Sequence, residues 1–358
     1  MKKIAIFCLA ALFAACSSEN NSTTTPPDVV TDEFIRGADM SFLPLIESEG
    51  TVFKNNNVPE DPIITLKNAG CNYIRIRIWN NPETSSSSFQ EVKTFADRVH
   101  QAGLKVWLTV HYSDTWADPG HQTKPQAWQN MNLEALKTAV ASYTTEIMTQ
   151  IKPDLIQIGN ETNDGMLWPE GRLSTNEANF KALASAGIEA VRAQSTQTKI
   201  MLHFAGMNGS DWFFDKVKDL DYDYIGLSYY PIWHGKSLSD LMQTMNTLGG
   251  LYNKKVVIAE TAYPFTLGFN DFTNNIMGLT SQLIPAFPAT EAGQSGFMST
   301  IYNTVNQSSH GIGFCYWGAE WVAFRGNTAS NGSTWENQAL WDFNNDALPV
   351  MTQFRDRN

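Results

Sequence analysis

Tyr73-Ile74-Arg75-Ile76-Arg77-Ile78-Trp79, Lys105-Val106-Trp107-Leu108-Thr109-Val110-His111 and Leu155-Ile156-Gln157-Ile158-Gly159-Asn160 are short runs dominated by Ile, Val, Leu and aromatic residues, each separated from the next by a longer segment of helical period. The same order extends outward in both directions. Phe34 to Met40 precedes these runs, and Lys199 to Phe204, Tyr224 to Tyr230, Lys255 to Glu260 and Ile312 to Trp317 follow them. Strands of this composition are expected to be covered on both faces, as in a parallel sheet. The intervening stretches supply crossover helices, for example Asn132 to Ile151 and Ser174 to Gln194, the second opening with Ser174 and Glu177 at capping-box spacing. No G-x-G-x-x-G or P-loop pattern follows the first strand. Eight β-then-α units without a nucleotide fingerprint predict an α/β fold of one domain, a closed (β/α)8 TIM barrel rather than a doubly wound sheet.

The chain has 358 residues, 42% of them apolar and 12% aromatic, which excludes a disordered or fibrous protein. A net charge of −11 leaves no basic face for a phosphate backbone, so nucleic acid is not an expected partner. Cys8 and Cys16 fall in the leader, and only Cys71 and Cys315 remain in the body, where both read as small buried hydrophobes without a bond between them. Met1-Lys2-Lys3 followed by an apolar run from Ile4 to Ala15 is an export signal, too short to span a bilayer. Leu12-Phe13-Ala14-Ala15-Cys16 resembles a bacterial lipobox, in which Cys16 carries diacylglycerol; the alternative is ordinary cleavage before a coincidental cysteine. The expected organisation is therefore a lipoprotein signal over residues 1–15, a Ser/Thr/Asn/Pro-rich tether over 16–32, and the barrel over 33–358. The mature chain is expected to be exported, monomeric and lipid-anchored to the outer membrane at the cell surface.

In a barrel of this kind the working residues stand at the C-terminal ends of the strands. Those ends supply Asp39, Arg75 or Arg77 with Trp79, His111 to Asp114, Asn160, Glu161, His203, Ser228 to Tyr230, Glu260 and Trp317. Glu161 and Glu260 each terminate an otherwise nearly apolar run, where an acid costs desolvation energy unless it has a use.

Arg36-Gly37-Ala38-Asp39-Met40-Ser41, Ile74 to Trp79, His111-Tyr112-Ser113-Asp114-Thr115-Trp116-Ala117-Asp118-Pro119, Ile158-Gly159-Asn160-Glu161, Ser228-Tyr229-Tyr230-Pro231 with Trp233-His234-Gly235, and Glu260-Thr261-Ala262-Tyr263-Pro264 are similar to segments of glycoside hydrolase family 53, the endo-β-1,4-galactanases among the clan A barrels. The Asn-Glu pair and the strand-seven Glu alone would indicate only the clan. The Gly-Ala-Asp-Met-Ser opening and the His-Tyr-Ser-Asp stretch are the segments that resemble galactanases specifically. The resemblance implies hydrolysis of β-1,4-galactan and galactooligosaccharides, with Glu161 as acid/base and Glu260 as nucleophile. The chemistry of a retaining glycosidase asks for such a pair, one acid protonated with a raised pKa and one ionised with a low pKa. One of Arg75 and Arg77 is expected to face inward, and Arg77 is taken as the residue that holds Glu260 ionised, with Tyr230 donating to it. Asn160 would bond the sugar 2-hydroxyl, and Asp39, His111, Ser113 and Asp114 are expected polar contacts. Trp79, Trp116, Trp168, Trp233 and Trp317 are candidate sugar platforms, Trp116 and Trp317 foremost, whereas Trp107 belongs in the core.

His111, His203 and His234 offer a competing metal reading, but no H-E-x-x-H spacing supports it and no metal or cofactor is required for the two-carboxylate chemistry. Some bacterial relatives carry structural calcium after strand seven; here Leu267 to Asn275 holds one acid, Asp271, so the usual alternation of ligands is missing. Two alternatives stay open from sequence: another clan A hydrolase of mannanase type, and a noncatalytic glycan-binding surface lipoprotein.

Overall fold

The computed structural model describes Met1 and residues 33–357. The expected export signal beyond Met1, the tether and Cys16 lie outside the described residues. Eight parallel strands close into a barrel: β1 (Ile35–Asp39), β2 (Tyr73–Ile78), β3 (Lys105–Val110), β4 (Leu155–Ile158), β5 (Lys199–Ala205), β6 (Tyr224–Ser228), β7 (Lys255–Thr261) and β8 (Gly311–Tyr316). All eight expected strands are present, in the expected order. Closure is made by β1, which pairs with β2 through Ala38 and Ile74 and with β8 through Arg36 and Phe314.

Side chains that alternate along each strand divide two cores. Ile74, Ile76 and Ile78 of β2 and Val106, Leu108 and Val110 of β3 point outward into the layer shared with the helices. Tyr73, Trp107, Leu155, Met201, Tyr224, Val257 and Ile312 fill the barrel's interior below the site. Trp107 is fully buried there, as expected of a core tryptophan.

Helix Leu133–Gln150 is capped by Asn132, whose side chain accepts from the Ala135 amide. The expected capping box at Ser174 does not form, because Ser174 donates instead to Asp164 (3.0 Å) and the helix begins later, at Glu177–Gln194. A two-stranded hairpin, Lys54–Asn55 with Val58–Pro59, is too short to leave a pattern in the sequence. Cys71 and Cys315 are buried and unbonded to each other. Among the described residues, no helix is long and apolar enough to cross a membrane.

Candidate active site

The strand tips open onto a cleft of about 410 Å³ that both glutamates line. Each is delivered by an interruption of regular strand geometry. Gly159 after β4 takes a φ of +87°, open to glycine at no steric cost, and Glu161 itself sits at φ +45°, a strained position for a residue with a Cβ. Gln122 fixes that turn by donating to the carbonyls of Asn160 (2.9 Å) and Glu161 (3.3 Å). On β7, Val257 and Ala259 already face the interior, and strict alternation would turn Glu260 outward. A bulge against β6, where Leu227 pairs with Ile258 but Ser228 pairs with Glu260, returns the carboxylate to the barrel.

Arg75 organises the floor of the cleft. Its Nη1 donates to Asp39 Oδ2 (2.7 Å), its Nη2 to Glu260 Oε1 (2.7 Å) and Asn160 Oδ1 (3.0 Å), and its Nε to Gln157 Oε1 (2.8 Å). The expectation that only one of the two arginines faces inward, and that it is Arg77 that holds Glu260, is thereby corrected. Residues two apart on a strand share a face, so both point inward, and the one beside Glu260 is Arg75. Arg77 lies against the rings of Trp116 (4.1 Å), Phe42 (4.4 Å) and Trp79 (4.6 Å) and donates to Ser87 Oγ (3.0 Å). Its buried Nη2 has no protein partner, which leaves a donor for a ligand in the cleft.

Tyr230 donates to Glu260 Oε2 (3.0 Å), so each oxygen of that carboxylate has a donor. Glu161 accepts from Ser228 Oγ (2.5 Å). Burial, then the charge of Glu260, push the Glu161 carboxyl up to about 8, against the opposing pull of Ser228 and Arg75. Burial raises Glu260 as well, with Arg75 and Tyr230 counteracting it. The depressed pKa expected for Glu260 is therefore corrected: Arg75 and Tyr230 oppose its burial without overcoming it, and the carboxyl is raised rather than lowered.

Oxygens of Glu161 and Glu260 lie within 4.8 Å of each other and of a ring nitrogen of His203. Among the described residues this is the one group of three acidic, His or Cys side chains close enough to hold a metal, and its donor set does not fit one. His203 Nδ1 receives N–H donors from Gln157 (2.9 Å) and Glu161 (3.3 Å), and Nε2 is bonded to Ser228 (2.9 Å). His111 Nδ1 accepts from the Ala117 amide (2.9 Å), and His234 Nδ1 from the Tyr230 amide (3.0 Å). Burial holds all three rings neutral, His234 at about 4 and the other two well below the usual histidine value.

Asn160 is oriented by Arg75, so its Nδ2 is the donor; it gives one hydrogen to the Ala117 carbonyl (2.9 Å) and keeps a second. Trp116, Trp233 and Trp317 line the cleft, and Trp233 is the most exposed of them, at 54%. Trp321 and Trp335 join them from the segment after β8; nothing periodic in that segment marks them, so Trp321 was missed, and Trp335 was covered only by the expectation that the stretch Arg325 to Glu336 borders the groove, with no role assigned. Trp168 does not reach the cleft, since its Nε1 is tied to the Asp164 carbonyl (2.8 Å) and Arg172 covers its ring. Ser113 and Asp114 are also displaced from their expected role. They border a neighbouring groove with Trp79, and the Asp114 oxygens accept from the amides of Asn81 (2.9 Å) and Gln126 (2.7 Å), which holds the loops after β2 and β3.

The sequence pattern of Glycosyl hydrolase family 53 matches residues 35–354. The chain belongs to glycosyl hydrolase family 53. It is a glycoside hydrolase. It is 36% identical over 342 residues to the arabinogalactan endo-beta-1,4-galactanase of Cellvibrio japonicus, covering 90% of either chain. It is 30% identical to the endo-beta-1,4-galactanase of Bacillus subtilis, covering 90% of this chain and 86% of that one. The Ignisphaera aggregans GH53 catalytic domain superposes with a TM-score of 0.85 at 34% identity, over 92% of this chain and 98% of that one.

Proposed function

We propose that this family 53 hydrolase is a retaining endo-β-1,4-galactanase acting on galactan side chains of pectin and on galactooligosaccharides. The observation that carries the mechanism is the pair of carboxyl groups within 4.8 Å, one bonded to a neutral serine and the other to an arginine. Retaining enzymes hold their carboxyl groups about 5–5.5 Å apart, and inverting enzymes leave wider room for a water. Glu161 protonates the glycosidic oxygen as Glu260 attacks the anomeric carbon, and the Asn160 Nδ2 hydrogen meets the sugar 2-hydroxyl. Glu161, now ionised, then draws a proton from the water that hydrolyses the glycosyl-enzyme. The named galactanase relatives support the choice of galactan over mannan, and two intact, oppositely partnered carboxylates speak against a role limited to binding.

The substrate test is a comparison of rates for the mature domain. Potato-type galactan is expected well above galactomannan, cellulose and xylan, with mixed oligosaccharides as products. Equal rates on mannan or cellulose would return the enzyme to the broader clan.

The pH profile of kcat/KM follows from the two acids. Glu161 works protonated, so activity falls as pH rises through about 8. Glu260 works ionised and is raised, so the acid limb lies above the ordinary Glu value near 4.3. A profile flat from pH 5 to 9 would contradict this assignment.

Hydrolysis by this route requires no cofactor. A structural cation after β7 would be held by Asp271 and Glu336, each of which has a buried oxygen without a hydrogen-bond partner, and it would supply loop stability only. Glu336 comes from beyond β8, so the single acid counted in the loop understates the carboxylates gathered there.

For the exported chain, a diacylglycerol on Cys16 is the proposed anchor, placing a monomeric barrel at the outer surface. Cys16→Ser is expected to move the protein from the detergent phase to the aqueous phase with kcat unchanged. Retention in the detergent phase would exclude the lipid.

A further inference from the structure

Beneath the cleft the two catalytic glutamates are joined by an unbroken run of hydrogen bonds in which, between the glutamates, only Arg75 lines the cleft. It starts at Glu260 Oε1, passes through Arg75 to Gln157 Oε1, leaves from Gln157 Nε2 to His203 Nδ1, and continues from His203 Nε2 through Ser228 Oγ to Glu161 Oε1. Every member from Arg75 to Ser228 is at most 1% exposed.

The direction of each bond is forced. Gln157 Oε1 is met by Arg75 Nε (2.8 Å) and Trp107 Nε1 (2.7 Å), two groups that can only donate, so the amide cannot be reversed. Its Nε2 must then donate to His203 Nδ1, where the Glu161 backbone N–H also points. Neutral His203 is thereby held as the Nε2–H tautomer and donates to Ser228 Oγ (2.9 Å). With that lone pair engaged, the Ser228 hydroxyl hydrogen is directed at Glu161 Oε1 (2.5 Å).

We propose that Gln157, acting through His203 and Ser228, is a positioning residue that confines the catalytic proton of Glu161 to Oε2, the oxygen left open to the glycosidic bond. The inference rests on the reading of Glu161 as the acid/base. In the second half of the reaction the same donors stabilise the Glu161 carboxylate, and no proton leaves the relay at either stage. The groups facing Glu161 are Glu260, Arg75, Asp118, His203 and Ser228, and of these only Ser228 donates to its carboxyl.

The test uses the mature enzyme labelled with ¹⁵N-histidine, the His203 signals being assigned by their loss in His203→Gln. Nε2 is expected protonated and Nδ1 bare from pH 5 to 8. Gln157→Glu keeps an acceptor for Arg75 and Trp107 but sets a second acceptor against the ring, so a proton should appear on Nδ1. Ser228→Ala should raise the alkaline limb of kcat/KM by roughly one pH unit, because the ionised form of Glu161 loses its donor. It should also slow galactan cleavage roughly tenfold while sparing glycosyl-enzyme formation from an aryl galactobioside that needs no acid. A wild-type His203 protonated on Nδ1, or an unmoved pH limb with both substrates slowed equally in Ser228→Ala, would overturn the relay. Azide trapping of the Glu161→Ala variant reports on the acid/base role separately, so failure of the relay and failure of that role are distinguishable.

Discussion

Glu161→Ala is expected to cut natural galactan roughly 10²–10⁴-fold more slowly than the unaltered enzyme, because the sugar leaving group can no longer be protonated as it departs. An aryl galactobioside with an acidic phenol should still form the glycosyl-enzyme at a near-normal rate. That intermediate should then accumulate, since no base activates the water, giving a burst of phenol followed by a slow steady state. Glu260→Ala removes the attacking oxygen, and both substrates should lose at least about 10⁴-fold, a loss that a better leaving group does not restore. Stopped-flow measurement of phenol release from the two variants separates these outcomes. Equal losses on both substrates for Glu161→Ala would deny it the role of acid.

The second large effect concerns Arg75. Arg75→Met is expected to lower unfolding free energy by about 3–5 kcal/mol, because Asp39 and Glu260 would remain as buried carboxylates stripped of their shared cation. It should also reduce kcat by at least about 10²-fold, since Glu260 loses the donor that holds one of its oxygens. Arg77→Met leaves the Glu260 pair intact and exposes the Trp79, Trp116 and Phe42 faces, so its effect should fall mainly on KM for galactan. Urea unfolding and steady-state kinetics of the two variants, measured side by side, check the assignment. A larger loss of kcat from Arg77→Met would restore the partner that the sequence suggested.

The eight strands were legible because parallel barrel strands are apolar on both faces, and runs such as Tyr73 to Trp79 stand out from the helical segments between them. The two glutamates were legible for the converse reason: an acid ending an apolar run is conspicuous. Arg75 was named beside Arg77 but passed over for it through a misjudged period, since inward-facing residues recur every second position and Arg75 and Arg77 share a face. Glu260 faces the site only by virtue of a bulge, which leaves no mark in a sequence. Trp321 and Trp335 reach the cleft from an irregular segment whose path is set by tertiary contacts, and Gln157 reads as one more strand residue until its three partners are in place.

The most direct test of the two-glutamate mechanism is the stereochemistry of azide rescue. Supplied with an aryl galactobioside and azide, the Glu161→Ala variant should release the β-galactosyl azide, because azide replaces water on a glycosyl-enzyme already formed by Glu260. The Glu260→Ala variant should release the α-azide, because azide then occupies the place of the missing nucleophile and attacks once. Nuclear magnetic resonance of the anomeric proton distinguishes the products. The reverse pairing of variant and anomer would mean that acid/base and nucleophile are exchanged, and full activity in both variants without azide would place the chemistry elsewhere in the barrel.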